Sequence, residues 1–85
     1  MLYIILKDGG SYNDGGSYHI VNASNIQEAI YEYYKFQTSC KDTVFEKMCM
    51  QTDIFSIREL VAYCNTRLNY IEQITDIYTL GVKLY

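Results

Sequence analysis

The stretch Tyr18-His19-Ile20-Val21-Asn22-Ala23-Ser24-Asn25-Ile26-Gln27-Glu28-Ala29-Ile30 changes its apolar period partway along. Up to Val21 it is β-branched and aromatic, the composition of a strand. From Ile26 onward Ile26, Ala29, Ile30, Tyr33 and Gln37 fall at helical spacing, flanked by Tyr34 and Phe36. Between the two halves, Ser24-Asn25-Ile26-Gln27 fits a capping box, with the serine hydroxyl accepting from the third helical amide and the glutamine reaching back to the serine amide. A strand therefore feeds a capped helix. On that helix Glu28, Tyr31, Glu32 and Lys35 face away from the apolar stripe. Glu32 and Lys35 are spaced to pair, at a few tenths of a kcal/mol, whereas Glu28 and Lys35 are too far apart in sequence to support each other well.

Upstream, Leu2-Tyr3-Ile4-Ile5-Leu6 has the same character and reads as a strand buried on both faces at the centre of the domain. The two runs are joined by a duplication, Asp8-Gly9-Gly10-Ser11-Tyr12, then Asn13, then Asp14-Gly15-Gly16-Ser17-Tyr18. The arrangement predicts an antiparallel hairpin whose glycine-rich tip is longer than the usual two to five residues, and an oversized loop of this kind suggests use in recognition.

Downstream, Thr43-Val44-Phe45-Glu46 resembles a capping box, and Val44, Phe45, Met48 and Cys49 share a helical face, so a short second helix is expected; Val44, Met48 and Met50 also share a strand face, which keeps a strand open there. Ser56-Ile57-Arg58-Glu59 is the clearest capping box, with Ile57, Leu60, Val61, Cys64 and Leu68 continuing the stripe of a third helix, from about Ile57 to Leu68. From Tyr70 to Leu80 the Ile, Thr and Tyr content favours a strand, although Ile71, Ile74 and Ile77 also fit a helix; Gly81 interrupts, and Val82-Lys83-Leu84-Tyr85 suits a last short strand. The expected class is α+β: a small two-layer domain, with an antiparallel sheet from the N-terminal hairpin and the C-terminal strand packed on two or three helices.

The chain of 85 residues, 49% hydrophobic, makes a single domain, 1–85, with one modest core. Ten acidic against seven basic side chains give a net charge of −3, and the lysines and arginines are scattered, which disfavours a phosphate backbone as partner. Cys40, Cys49 and Cys64 form no metal-ligand spacing and are too few and odd for a disulfide framework, so reduced thiols and no metal or cofactor are expected. Cys64, mid-stripe, is expected to pack rather than react. The longest apolar run, Leu2 to Leu6, is too short for a membrane span or a leader, and the expected setting is the cytoplasm.

No catalytic constellation emerges. Asp14, Ser17 and His19 include the residue types of a triad but sit in or beside a glycine loop, without the rigid support a triad needs. Asp8, Asn13 and Asp14 offer oxygen ligands but too few carboxylates for a calcium loop, and the glycines do not lead into a helix N-terminus as a phosphate cradle requires. Tyrosine is the unusual component, at ten residues with no tryptophan. Most should finish the core, whereas Tyr12 and Tyr18 at the loop and Tyr31 on the polar helix face read as contact residues, since tyrosine brings contact area at small entropic cost. The candidate partner-binding set is Asp8, Tyr12, Asp14, Tyr18, Glu28, Tyr31 and Glu32.

The strand Leu2 to Leu6, the loop, and the segment from Tyr18 through "VNAS" into the helix with "EAI" at Glu28-Ala29-Ile30 resemble small phage-encoded proteins, including some anti-CRISPR proteins. The resemblance implies a stand-alone inhibitor that binds a host nuclease or surveillance complex stoichiometrically, in the host cytoplasm, with no active site; it transfers no functional residue. The residues themselves point the same way, to a protein-binding module. Two rivals stay open: a homodimeric structural or regulatory protein, and a nucleic-acid or small-ligand binder.

Overall fold

In the computed structural model, which describes residues Met1–Lys7 and Tyr18–Tyr85, strand β1 (Leu2–Lys7) pairs along both edges. On one side runs β2 (Tyr18–Asn22), antiparallel, with Tyr3 opposite Val21 and Ile5 opposite His19. On the other runs β3 (Ile74–Thr79), also antiparallel, with Ile5 opposite Ile77 and a bulge between Leu6 and Lys7. A short β4 (Val82–Lys83) closes the sheet in the order β2-β1-β3-β4. The glycine loop, with Asp8, Tyr12 and Asp14, lies outside the described residues.

Of the three helices, α1 (Ile26–Thr38) and α3 (Ile57–Arg67) lie against one face of this sheet, and α2 (Thr43–Met50) packs on both of them. Tyr3, Ile5, Val21, Ile74 and Ile77 point into the shared core, against Ile30, Tyr33, Leu60, Val61 and Cys64. The alternation of the strand leaves Leu2, Ile4 and Leu6 on the other side, where Leu2 is 55% exposed. The expectation that β1 is buried on both faces is thereby corrected. An uninterrupted apolar run suits a two-sided strand, but here no second layer of the described residues covers the far side.

Each helix starts at a polar cap. Ser56 and Glu59 form the anticipated capping box, with Glu59 N donating to Ser56 Oγ and Ser56 N to Glu59 Oε2, each at 3.1 Å. The first helix begins one residue later than Ser24-Asn25-Ile26-Gln27 suggested: Asn25 is the cap, its Oδ1 accepting from Glu28 N at 2.8 Å, while Ser24 N donates to Glu28 Oε2 at 3.3 Å. In the second helix the cap is Asp42, accepting from Phe45 N at 3.0 Å, and Thr43 is the first helical residue. Both segments offer adjacent Ser/Asn or Asp/Thr caps, and in each the Asx residue takes the cap. Residues 43–50 are helix, which closes the strand alternative.

The tail becomes a strand only at Ile74, preceded by a 3-10 turn over Tyr70–Glu72. Polar clamps set that boundary. Asn65 at the end of α3 exchanges two hydrogen bonds with the Ile74 backbone, at 2.8 and 3.0 Å, and Tyr33 Oη donates to the Glu72 carbonyl at 2.6 Å. The β3–β4 connection is a two-residue turn, Leu80-Gly81, with φ of +45° and +85°. Two consecutive positive φ values are the signature of a type I′ hairpin, whose twist matches that of the strands.

Candidate functional site

Helices α1 and α2 lie side by side, and their outer ridges leave a cleft of about 420 Å³. From α1 come Glu28, Tyr31, Glu32 and Lys35, successive turns of one helical face; from α2 come Glu46, Cys49 and Met50. Asn25 and Thr52 close its ends. Three carboxylates thus face a single ammonium. Lys35 Nζ is 3.2 Å from Glu32 Oε1 and lies 5.6 Å from the centre of the Tyr31 ring.

Tyr31 departs most from the sequence expectation. Placed by its spacing on the polar face, it is only 5% exposed, because α2 packs against that flank of α1. Its ring meets Phe45 edge-on at 5.9 Å and stacks near Tyr34 at 6.5 Å. Its hydroxyl is buried and makes no hydrogen bond of full geometry, with the Glu46 carboxylate lying beside it. Burial first, and then the Glu46 carboxylate beside it, holds that hydroxyl above the ordinary tyrosine pKa. An unpaired buried hydroxyl costs on the order of 1–3 kcal/mol, so it stands out beside Tyr33 and Tyr34, whose hydroxyls donate to the Glu72 carbonyl and to Asp42. The reverse departure is Phe36, expected to flank the stripe but 64% exposed.

The expected partner-binding residues divide between two surfaces. Glu28, Tyr31 and Glu32 come together in the cleft. Tyr18 is 52% exposed in β2 opposite Leu6, on the sheet face turned away from the helices. That open face is apolar at its centre: Ile4 lies between Ile20 and Tyr78, and Leu6 between Tyr18 and Asp76. Ile20 is 54% exposed. The face ends at an ion pair, Lys83 Nζ to Asp76 Oδ1 at 2.9 Å. The sequence signal that could have found this surface was the alternation within Leu2–Leu6, masked because every position is apolar.

His19, the one imidazole of the chain, faces the helices and packs on Phe36 at 4.5 Å and Tyr33 at 5.6 Å. Burial, with the Lys7 ammonium nearby, lowers its pKa. Cys49 and Cys64 are buried with thiol pKa values pushed up to about 12, while Cys40 is exposed. Among the described residues no three His, Cys, Asp or Glu side chains gather closely enough to hold a metal ion, and no helix is long and apolar enough to cross a membrane. No protein-family model, curated protein or solved structure matches this chain.

Proposed function

We propose that this chain is a non-catalytic protein-binding module that docks another macromolecule on the open face of its sheet, and that the partner is a host nucleic-acid-processing complex of the CRISPR–Cas kind. The observation that carries the docking reading is the cluster Leu2, Tyr18 and Ile20, large side chains each more than half exposed on a sheet whose other face buries Tyr3, Ile5, Val21, Ile74 and Ile77. Apolar groups gathered on one exposed face signal a surface used in contact. Leu80 adds to it: a leucine 91% exposed, at a left-handed φ, contributes neither packing nor backbone ease to the fold. The choice of partner rests on the resemblance of the first part of the chain, supported by its net charge of −3, which suits a basic nucleic-acid-handling surface.

The test is size-exclusion chromatography with purified CRISPR–Cas effector complexes, paired with a nuclease assay. Stoichiometric co-elution and loss of cleavage are expected for the intact chain, and neither for Ile20→Glu, a variant whose melting temperature should be unchanged. Co-elution untouched by Ile20→Glu would remove the sheet face from the reading, and no co-elution with any effector would remove the partner.

A second reading is favoured by the outer edge of β2, which no described strand pairs: association with a second copy through that edge. Light scattering over a range of concentrations separates a stable dimer from a monomer.

A further inference from the structure

The cleft between α1 and α2 is chemically different from the sheet face, and its contents specify an occupant. Glu28, Glu32 and Glu46 are met by Lys35 alone, so the cleft attracts positive charge. The carboxylates are too dispersed to converge on one ion, since no described cluster satisfies metal geometry. A cation with several donors spread over a plane suits them better than a point charge. Lys35 Nζ, held 5.6 Å from the centre of the Tyr31 ring, marks that ring as a surface a cation already uses.

The second, independent observation is the Tyr31 hydroxyl. It is buried, makes no hydrogen bond of full geometry although the Glu46 carboxylate lies beside it, and belongs to a residue 5% exposed that lines the cleft. A donor entering between Tyr31 and Glu46 would give the hydroxyl oxygen a partner and the carboxylate a counter-charge together. Cys49 and Met50 supply an apolar wall along which a methylene stem can lie. A volume of about 420 Å³ is within the range of pockets that hold a small organic group.

We propose that the α1–α2 cleft is a receptor for the guanidinium of an arginine side chain presented by a protein bound on the helical side of the domain, bridging Glu46, Glu28 or Glu32, and the Tyr31 hydroxyl. The source is a protein side chain rather than free arginine, because the carboxylate of the free amino acid would be repelled by the same acidic walls. The assignment rests on the protein-binding reading, but its test does not use the partner.

The probe is N-acetyl-arginine methylamide, titrated into the isotope-labelled chain and followed by amide chemical shifts. Shifts confined to residues 25–35 and 46–52 are expected, saturating with a Kd on the order of 1 mM for a ligand of this size. The neutral citrulline analogue should bind at least tenfold more weakly, and the blocked lysine analogue several-fold more weakly. Glu46→Gln should weaken binding about tenfold with no change in melting temperature. Tyr31→Phe, which removes the unpartnered oxygen and keeps the ring, should weaken binding while leaving the melting temperature equal or higher. A lowered melting temperature for Tyr31→Phe would mean that the hydroxyl is already satisfied within the fold, and would overturn its role. Absent or scattered shifts, or equal binding of citrulline, would overturn the receptor. Free arginine binding tenfold tighter than the blocked form would overturn the protein source. Failure of the receptor alongside successful co-elution would leave the sheet-face module standing.

Discussion

Tyr63 Oη donates to Asp42 Oδ2 at 3.0 Å, so the third helix is tied to the residue that caps the second. The same carboxylate oxygen accepts from Tyr34 Oη at 3.2 Å, and the other oxygen caps Phe45 N at 3.0 Å. Asp42 therefore joins all three helices around Phe45, which is fully buried and stacked on Tyr63 with ring centres 4.5 Å apart. Replacing Asp42 by Ala removes a cap worth about 1 kcal/mol and leaves two tyrosine hydroxyls without their acceptor, for a combined cost of about 2–3 kcal/mol. In a domain of this size the melting temperature should fall by roughly 10–20 °C, measured by circular dichroism.

The pH dependence has two windows. The backbone bond from Phe45, with help from the Tyr63 and Tyr34 hydroxyls, lowers the Asp42 pKa below its ordinary value of 3.8. Its contribution is therefore complete above pH 3.8 and lost as pH falls through the lowered folded value. His19 is lowered from 6.5, by burial and then by Lys7, so the unfolded chain takes up its proton first and stability declines as pH drops below 6.5. Urea midpoints should fall between pH 7 and 5 in the intact chain. In His19→Gln they should be lower but flat over that interval, and Asp42→Asn should flatten the limb below pH 4.

Thiol accessibility should divide one against two. Cys40 is exposed, whereas Cys49 and Cys64 are buried with pKa values of about 12, raised by desolvation. Ellman's reagent at pH 8 should titrate a single thiol in the folded protein and all three in denaturant. Cys40→Ser should abolish the native reaction without altering stability.

The turn residue Leu80 should be improvable. At φ +45° and almost fully in water, it bears a left-handed penalty of about 1 kcal/mol without compensating contacts. Leu80→Asn, giving the Asn-Gly pair preferred by type I′ turns, should stabilise by about 0.5–1 kcal/mol in chemical denaturation. If the exposed leucine serves partner contact, the same substitution lowers affinity as it raises stability.

Capping substitutions should separate the real helix starts from their neighbours. Asn25→Ala and Ser56→Ala should each cost about 1 kcal/mol, because each side chain accepts from the third helical amide, which has no partner within the helix. Ser24→Ala should be close to neutral, since the backbone amide of Ser24 makes its bond to Glu28. Equal losses at positions 24 and 25 would contradict the observed register.

The local code accounts for much of the fold. Ser56 with Glu59, the apolar stripe through Leu60, Val61 and Cys64, the Leu80-Gly81 break and the β-branched runs act over a few residues, and such short-range chemistry is written directly in residue order. The pairing of Glu32 with Lys35 belongs to the same class. The α+β arrangement, with both chain ends contributing strands, follows from these elements and from the need to bury one face of each.

Where each element stops being covered was decided by its neighbours in space. An all-apolar β1 looks the same whether one or two layers enclose it, and only the three-dimensional packing left Leu2, Ile4 and Leu6 on an open face. Tyr31 sits at a polar position of α1 by its own period and is buried because α2 folds back onto that flank. The acidic cleft likewise exists only once Glu46 and Met50, distant in sequence, are brought against Glu28 and Glu32. Residue order determined the elements, since helix caps and strand propensities act locally. Burial and the meeting of charges belong to contacts between elements, whose partners no single segment can name.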